Sequence, residues 1–271
     1  MHVTPGTRVF VTGASRGIGR ALAQALAARG ATIGLAARST DELAALAEAL
    51  PGDHHVLECD VADAASTQAA IDGFVERAGG LELVVANAGI THYGPFRDQP
   101  LDKALQMSQV NWHGTLHTVH FGLPHLLRAG RGHIVVVSSG AGLRSFPQAA
   151  VYGATKAAQR MFAEALRHEL AGTGVSLTTV YPGEIATSLH DHEKDRMPDW
   201  YRGGPQAAPP SDLADRVVAA IEDDERSVYY PALVRALGLA HGVNPKAGDA
   251  LLRRLRGDSG ALARATKANV V

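Results

Sequence analysis

Thr12-Gly13-Ala14-Ser15-Arg16-Gly17-Ile18-Gly19 follows a short β-branched run, Arg8 to Thr12, and opens a segment whose apolar residues Ile18, Leu22 and Leu26 recur at helical spacing. A strand that turns through glycines into a helix aims backbone N–H groups and the positive helix end at one point. A pyrophosphate suits that point. Gly13 permits the tight turn and Gly19 lets helix and strand approach, while a side chain at Gly17 would obstruct a ligand lying over the loop. Ser15, Arg16 and Ile18 complete the predicted phosphate-binding stretch.

Outward from this loop the same alternation repeats. Strands are predicted at Arg8 to Thr12, Thr32 to Ala37, His55 to Cys59, Leu83 to Ala86, His133 to Ser138, Val175 to Tyr181 and Ser227 to Tyr230. Between them apolar residues fall three and four apart: Leu43, Leu46 and Leu50; Ile71, Phe74 and Val75; Met161, Phe162, Leu166 and Leu170; Leu213, Val217 and Ile221. The pattern predicts an α/β fold, a doubly wound, seven-stranded parallel sheet with helices on both faces. It reads as a single domain over residues 1–256, with a lid at about 184–210 and an amphipathic C-terminal segment at about 231–256; residues 257–271 are expected to be a flexible tail.

The 271 residues carry 26 Lys+Arg against 27 Asp+Glu, a formal charge of −1, which argues against nucleic acid or an anionic membrane as an electrostatic partner. With 46% apolar and 20% charged residues the chain can bury a core. The single cysteine, Cys59, precludes an internal disulfide, and Met1-His2-Val3-Thr4-Pro5-Gly6 lacks the profile of a secretion signal. A cytoplasmic location is expected. No apolar run reaches the roughly 18 residues of a membrane span.

Chemistry at the second strand selects a cofactor. An acidic residue there would grip the adenosine ribose hydroxyls and repel a 2′-phosphate, but the strand ends Ala36-Ala37-Arg38-Ser39, with Arg16 as a second cation. NADP(H) is therefore expected over NAD(H). In Cys59-Asp60-Val61 the carboxylate has two readings, an acceptor for the adenine amino group or a helix cap. Asn87-Ala88-Gly89, after the fourth strand, lets backbone face a cofactor while Asn87 bridges strand ends.

Tyr152 and Lys156 stand four residues apart on one helix face. A free phenol has a pKa of about 10, and poising it near 7 takes roughly 4 kcal/mol of differential stabilisation, which a nearby ammonium can largely supply. Ser138-Ser139-Gly140 ends the fifth strand on the same carboxyl edge as the glycine loop and Asn87, where open α/β sheets bind ligands.

In order along residues 7 to 230, Thr12-Gly13-(three residues)-Gly17-Ile18-Gly19, Asp60, Asn87-Ala88-Gly89, Asn111, Ser139, Tyr152, Lys156, Pro182-Gly183 and Thr187 make the chain resemble the short-chain dehydrogenase/reductase family, with its Rossmann-like fold. The resemblance implies that Tyr152 is the general acid or base toward a carbonyl or alcohol, that Ser139 hydrogen-bonds the same oxygen, and that Lys156 holds the nicotinamide ribose and depresses the Tyr152 pKa. It implies that Asn111 positions Lys156 through a water, and that Pro182, Gly183, Ile185 and Thr187 fix the carboxamide end of the ring. It also implies a homodimer or homotetramer. The residue in many relatives at Ala86 is another asparagine. The thirteen-residue interval to Tyr152 favours Ser139 over Ser138 as the catalytic serine.

Substrate walls are expected at His92, Tyr93, Phe96, Gly140, Phe146 and Glu184, a largely apolar set that suits a bulky or lipophilic ketone, aldehyde or secondary alcohol. His113, His117 and His120 share a helix side without an accompanying cysteine or acidic motif, and no metal is expected. Three readings stay open for the basic, amphipathic C-terminal segment: packing on the domain or a second subunit, a pocket wall, or peripheral membrane contact. The predicted activity is NADPH-dependent carbonyl reduction; a non-catalytic NADP(H)-binding regulator is the alternative.

Overall fold

Alternation within each central strand sends neighbouring side chains to opposite faces, and both faces are apolar. The computed structural model describes residues 1–193, 207–246 and 248–250. Its strands are β1 (Arg8–Thr12), β2 (Thr32–Ala37), β3 (His55–Glu58), β4 (Leu83–Ala86), β5 (Gly132–Val137), β6 (Val175–Pro182) and β7 (Ser227–Tyr230). All neighbours pair in parallel, in the order β3-β2-β1-β4-β5-β6-β7. Val9 and Val11 of β1 enter one core with Leu83, Val85, Val135 and Val137, while Phe10 enters the opposite core with Val84, Ile134 and Val136.

The helices cover both faces. On the first lie α1 (Gly17–Ala27), α2 (Thr40–Ala49) and α7 (Pro210–Glu222), whose Leu22, Leu26, Leu43, Leu46, Val217 and Ile221 share the Val9 core. On the second lie α3 (Ala64–Ala78), α5 (Gly114–Ala129) and α6 (Ala150–Glu169), contributing Ile71, Phe74, Val119, Leu126 and Leu166. A short helix α4 (Leu101–Met107) runs through a π-helical turn, Ser108–His113, into α5.

The predicted strands recur within one residue at each end. Beyond β3 and β5 the ladder bonds continue as the chain turns away, with Cys59 N–H donating to Ala37 O (3.0 Å) and Ser138 N–H to Val180 O (2.9 Å). One predicted core position is corrected: Met161 is 60% exposed on α6, on the side of the helix opposite Ala163 and Leu166, which enter the core. The lid reading falls partly on residues 194–206, outside the described residues. Its described flanks join by a parallel bridge between Ile185 and Ala208. The C-terminal segment begins with α8 (Leu233–Val243), which packs on the domain: Val234 lies over Gly140 and Gly183, and Arg144 pairs with Asp249 at 2.6 Å. Residues 251–271, with the predicted tail, lie outside the described residues. Among the described residues no helix is long and apolar enough to cross a membrane.

Candidate active site

The strand order reverses between β1 and β4, and the loops leaving the carboxyl ends of the strands there enclose one cavity. The glycine loop forms one end. Gly13 adopts a left-handed φ of +66°, and a Cβ on Gly19 would stand 2.2 Å from Gly13 O, so only glycine lets α1 sit this close to the turn. Asn87 staples the loop, its Nδ2 donating to Thr12 O at 2.9 Å and Gly13 O at 3.3 Å, while Thr12 Oγ1 accepts from Asn87 N–H (3.0 Å) and Ala88 N–H (3.2 Å). Among the described residues no side chain caps the start of α1. Its first N–H groups therefore remain available to an anion in the cavity.

Gly13, Ser15, Arg16, Gly17, Ile18, Arg38, Ser39, Asp60, Val61, Asn87, Ala88, Gly89, Pro182, Gly183, Ile185 and Thr187 all line this cavity, together with Ser139, Tyr152 and Lys156. Gly19 lies behind the wall and acts through packing. Arg16 and Arg38 are exposed at the rim, and among the described residues neither pairs with a carboxylate. The two readings of Asp60 separate: the cap of α3 is Asp63, which accepts from Ala65 N–H and Ser66 N–H, whereas Asp60 Oδ1 accepts from Ala62 N–H at 3.0 Å in a turn on the cavity wall. The helix start, the glycine cradle and the two cations exposed at the rim fit a dinucleotide phosphate chain.

At the other end, Ser139 Oγ caps the 3-10 turn Gly140–Gly142 by accepting from Ala141 N–H (3.1 Å) and hydrogen-bonds the Tyr152 hydroxyl. Ser138 points elsewhere, its Oγ donating to Lys156 O at 2.8 Å. Lys156 Nζ donates to Val137 O at 3.0 Å and lies 5.9 Å from the centre of the Tyr152 ring. Burial pushes the Lys156 pKa down to about 7 and the Tyr152 pKa up to about 12, the Ser139 hydrogen bond only partly offsetting the latter. The phenol thus stands above its ordinary value in this structure, loss of water outweighing the Ser139 hydrogen bond.

Asn111 sits in the π-helical turn, fully buried. Its side chain accepts from Ile90 N–H at 2.8 Å and donates to Ile90 O at 3.0 Å, pinning the chain just after Gly89. Its carbonyl accepts from Thr115 Oγ1 (2.9 Å) and Gln159 Nε2 (2.8 Å). A Cβ at Gly89 would lie 3.4 Å from Asn111 Oδ1 and 3.5 Å from Lys156 Nζ, so the three positions meet.

The expected substrate walls are not brought to this cavity. Phe96 is 69% exposed on a 3-10 turn, Gly140 lies beneath Val234, and the Glu184 carbonyl accepts from Ala208 N–H. Tyr93 packs against both Phe146 and Tyr152, and His92 contacts Glu193. The sequence singles out neither Ile90 and Val110, which line the cavity, nor the buried Thr115, Thr155 and Gln159 around Asn111; Ser188 and Leu189, also in the lining, fall within the expected lid. Helical spacing places Gln159 three residues beyond Lys156 on the same face, which was the available signal.

The chain matches the short chain dehydrogenase family model over residues 7–198. It is 35% identical over 235 residues to the glycine betaine reductase ATRR of Emericella nidulans, covering 84% of this chain and spanning 18% of that relative's length. Its fold is similar to the crystal structure of a short-chain dehydrogenase/reductase from Burkholderia phymatum in complex with NAD, at a TM-score of 0.83 and 26% identity over 91% of this chain and 96% of that one. It is also similar to an alcohol dehydrogenase from the archaeon Thermococcus sibiricus complexed with 5-hydroxy-NADP, at a TM-score of 0.71 and 29% identity over 82% and 94%. The chain belongs to the short-chain dehydrogenase/reductase family, a family of oxidoreductases.

Proposed function

We propose that the protein is an NADP(H)-dependent reductase of a ketone or aldehyde, running reversibly as a secondary-alcohol dehydrogenase. One observation carries this reading: a single cavity joins the uncapped start of α1 and the cations Arg16 and Arg38 to Ser139, Tyr152 and Lys156. When bound, the dinucleotide supplies or accepts the hydride at its nicotinamide ring. The protein does the rest. The backbone from Gly13 to Ile18 would hold the pyrophosphate, Asp60 and Val61 would meet the adenine, and Asn87, Ala88 and Gly89 would line the cavity along the sugars. Pro182, Gly183, Ile185 and Thr187 would orient the carboxamide, and Lys156 would hold the adjoining ribose. Of the two similar structures, one holds NAD and the other an NADP derivative. The choice for this chain rests on Arg38 and Arg16 and on the absence of an acidic residue at the end of β2.

Ser139 Oγ donates to the carbonyl oxygen and Tyr152 delivers the proton as the oxygen gains charge. A phenol held near pKa 12 stays protonated at neutral pH, the form reduction requires. Ile90, packed against the Tyr152 cluster, with Val110 and Leu189 elsewhere in the lining, adds apolar surface to the cavity, which favours a lipophilic or bulky substrate. The exposed Leu101 and Leu105 on α4 and Met161 on α6 suit burial against a second copy in a homodimer or homotetramer. The buried thiol of Cys59 is in keeping with a reducing cytoplasm.

An NADPH-consumption screen across steroid, aryl, acyl and sugar carbonyls tests the activity. Tyr152→Phe is expected to retain NADPH binding by fluorescence titration and to lose about 10²-fold to 10⁴-fold in turnover. Substantial turnover by that variant overturns the assignment.

A further inference from the structure

Tyr152 belongs to neither main core. It sits in a third, small apolar cluster with Tyr93, Met107, Ala141 and Ala149. Tyr93 is 3% exposed, and its ring meets the Tyr152 ring edge-on at 6.0 Å between centroids. Tyr93 thus walls the side of the Tyr152 ring, yet it lies on the connection from β4 to α4, with no strand ladder to hold it.

Its backbone is held from across the cleft. Tyr93 N–H donates to Glu193 Oε2 at 3.2 Å, and the other oxygen of that carboxylate, Oε1, meets His92 Nδ1 at 2.8 Å. Glu193 comes from 100 residues further along the chain and is itself 3% exposed. It ends the 3-10 turn Ser188–Glu193, which follows directly on Thr187 and carries the cavity-lining Ser188 and Leu189. A carboxylate so far from water is costly unless donors meet it, and here both oxygens are engaged by consecutive residues of one loop.

We propose that Glu193 is a positioning residue: by bridging His92 and Tyr93 it fixes the Tyr93 ring as a brace for Tyr152, and so ties the segment after Thr187 to the proton donor. This rests on the assignment of Tyr152 as the acid. The brace is a matter of geometry and not of charge, which sets the test. Glu193→Gln keeps the shape, an oxygen for Tyr93 N–H and an amide for the His92 imidazole; Glu193→Ala removes all of these.

With a carbonyl that the wild-type protein reduces, Glu193→Ala is expected to lose about tenfold to hundredfold in kcat, the scale on which slight misplacement of a reacting group acts. NADPH affinity by fluorescence titration is expected to stay within about twofold, and Glu193→Gln to keep kcat within about threefold of wild type. Tyr93→Ala should reproduce the loss, with no further loss in the double variant. Wild-type kcat in Glu193→Ala, equal damage in the Gln and Ala variants, or additive losses would each overturn the proposal. Hydrogen exchange of the peptide spanning residues 91–95 reads the brace without turnover: the Tyr93 amide is expected to be protected in wild type and Glu193→Gln and to exchange freely in Glu193→Ala. Free exchange in the wild type refutes the brace whatever the kinetics show, whereas protection combined with no carbonyl reduction by any substrate removes the assignment of Tyr152 and leaves the brace standing.

Discussion

Arg38 leaves β2 onto an exposed rim shared with Arg16, and neither guanidinium faces a carboxylate among the described residues. A phosphate dianion between them would gain two charge-assisted contacts of about 1.5–3 kcal/mol each. Arg38→Asp combined with Arg16→Ala is therefore expected to shift the ratio of kcat/KM for NADPH over NADH by about 10²-fold or more toward NADH. An unchanged ratio means that both arginines are merely solvated. Tyr152 and Lys156 show what spacing alone does not reveal. Their separation of four residues places them on one helix face, but burial pushes both toward their neutral forms. Likewise the sequence offered Asp60 as cap or ligand-facing acceptor with equal force; the hydrogen bonds of Asp63 give the α3 cap to Asp63.

At the scale of elements, α1 docks on the sheet through Gly19. An added methyl there meets Gly13 O at 2.2 Å and Asn87 Nδ2 at 2.5 Å, and backbone cannot move aside as a flexible side chain would. Gly19→Ala is expected to cost about 1–3 kcal/mol in urea unfolding and to weaken NADPH binding, because the helix start shifts off the phosphate loop. Unaltered stability and affinity together would show that α1 has slack against β1. The strands and their helices were legible because a two-residue period and a 3.6-residue period are local properties of the chain. The π-helical turn around Asn111 was not, since its carbonyl is held by Thr115 and by Gln159 from another helix. Nor was the packing of Tyr93 between the Phe146 and Tyr152 rings, which joins three separate segments of the chain.

Across the whole molecule, one buried histidine links the fold to pH. His133, in β5, has no exposed surface, and its Nε2 meets Thr178 Oγ1 at 2.9 Å. Burial, with the positive chain terminus adding to it, pushes its pKa down to about 4. The unfolded histidine ionises near ~6.5, so between there and about 4 the unfolded state binds the extra proton and stability falls as pH falls. At pH ~4.5 this costs roughly 2–3 kcal/mol relative to neutral pH. A His133→Gln variant is expected to lose correspondingly less stability between pH ~7 and ~4.5 in urea titrations, and equal losses in the two proteins would show that His133 is not the titrating group.

The sequence by itself determined the doubly wound sheet, the phosphate loop, and the set of residues that gather at the carboxyl edge, because each is written in short-range period, glycine placement and the order of strands. Only the tertiary structure decided which way burial moves Tyr152, which aspartate caps α3, and that Glu193 reaches across to Tyr93. Those outcomes depend on water being excluded by residues far apart along the chain, and no local pattern encodes which distant groups will exclude it.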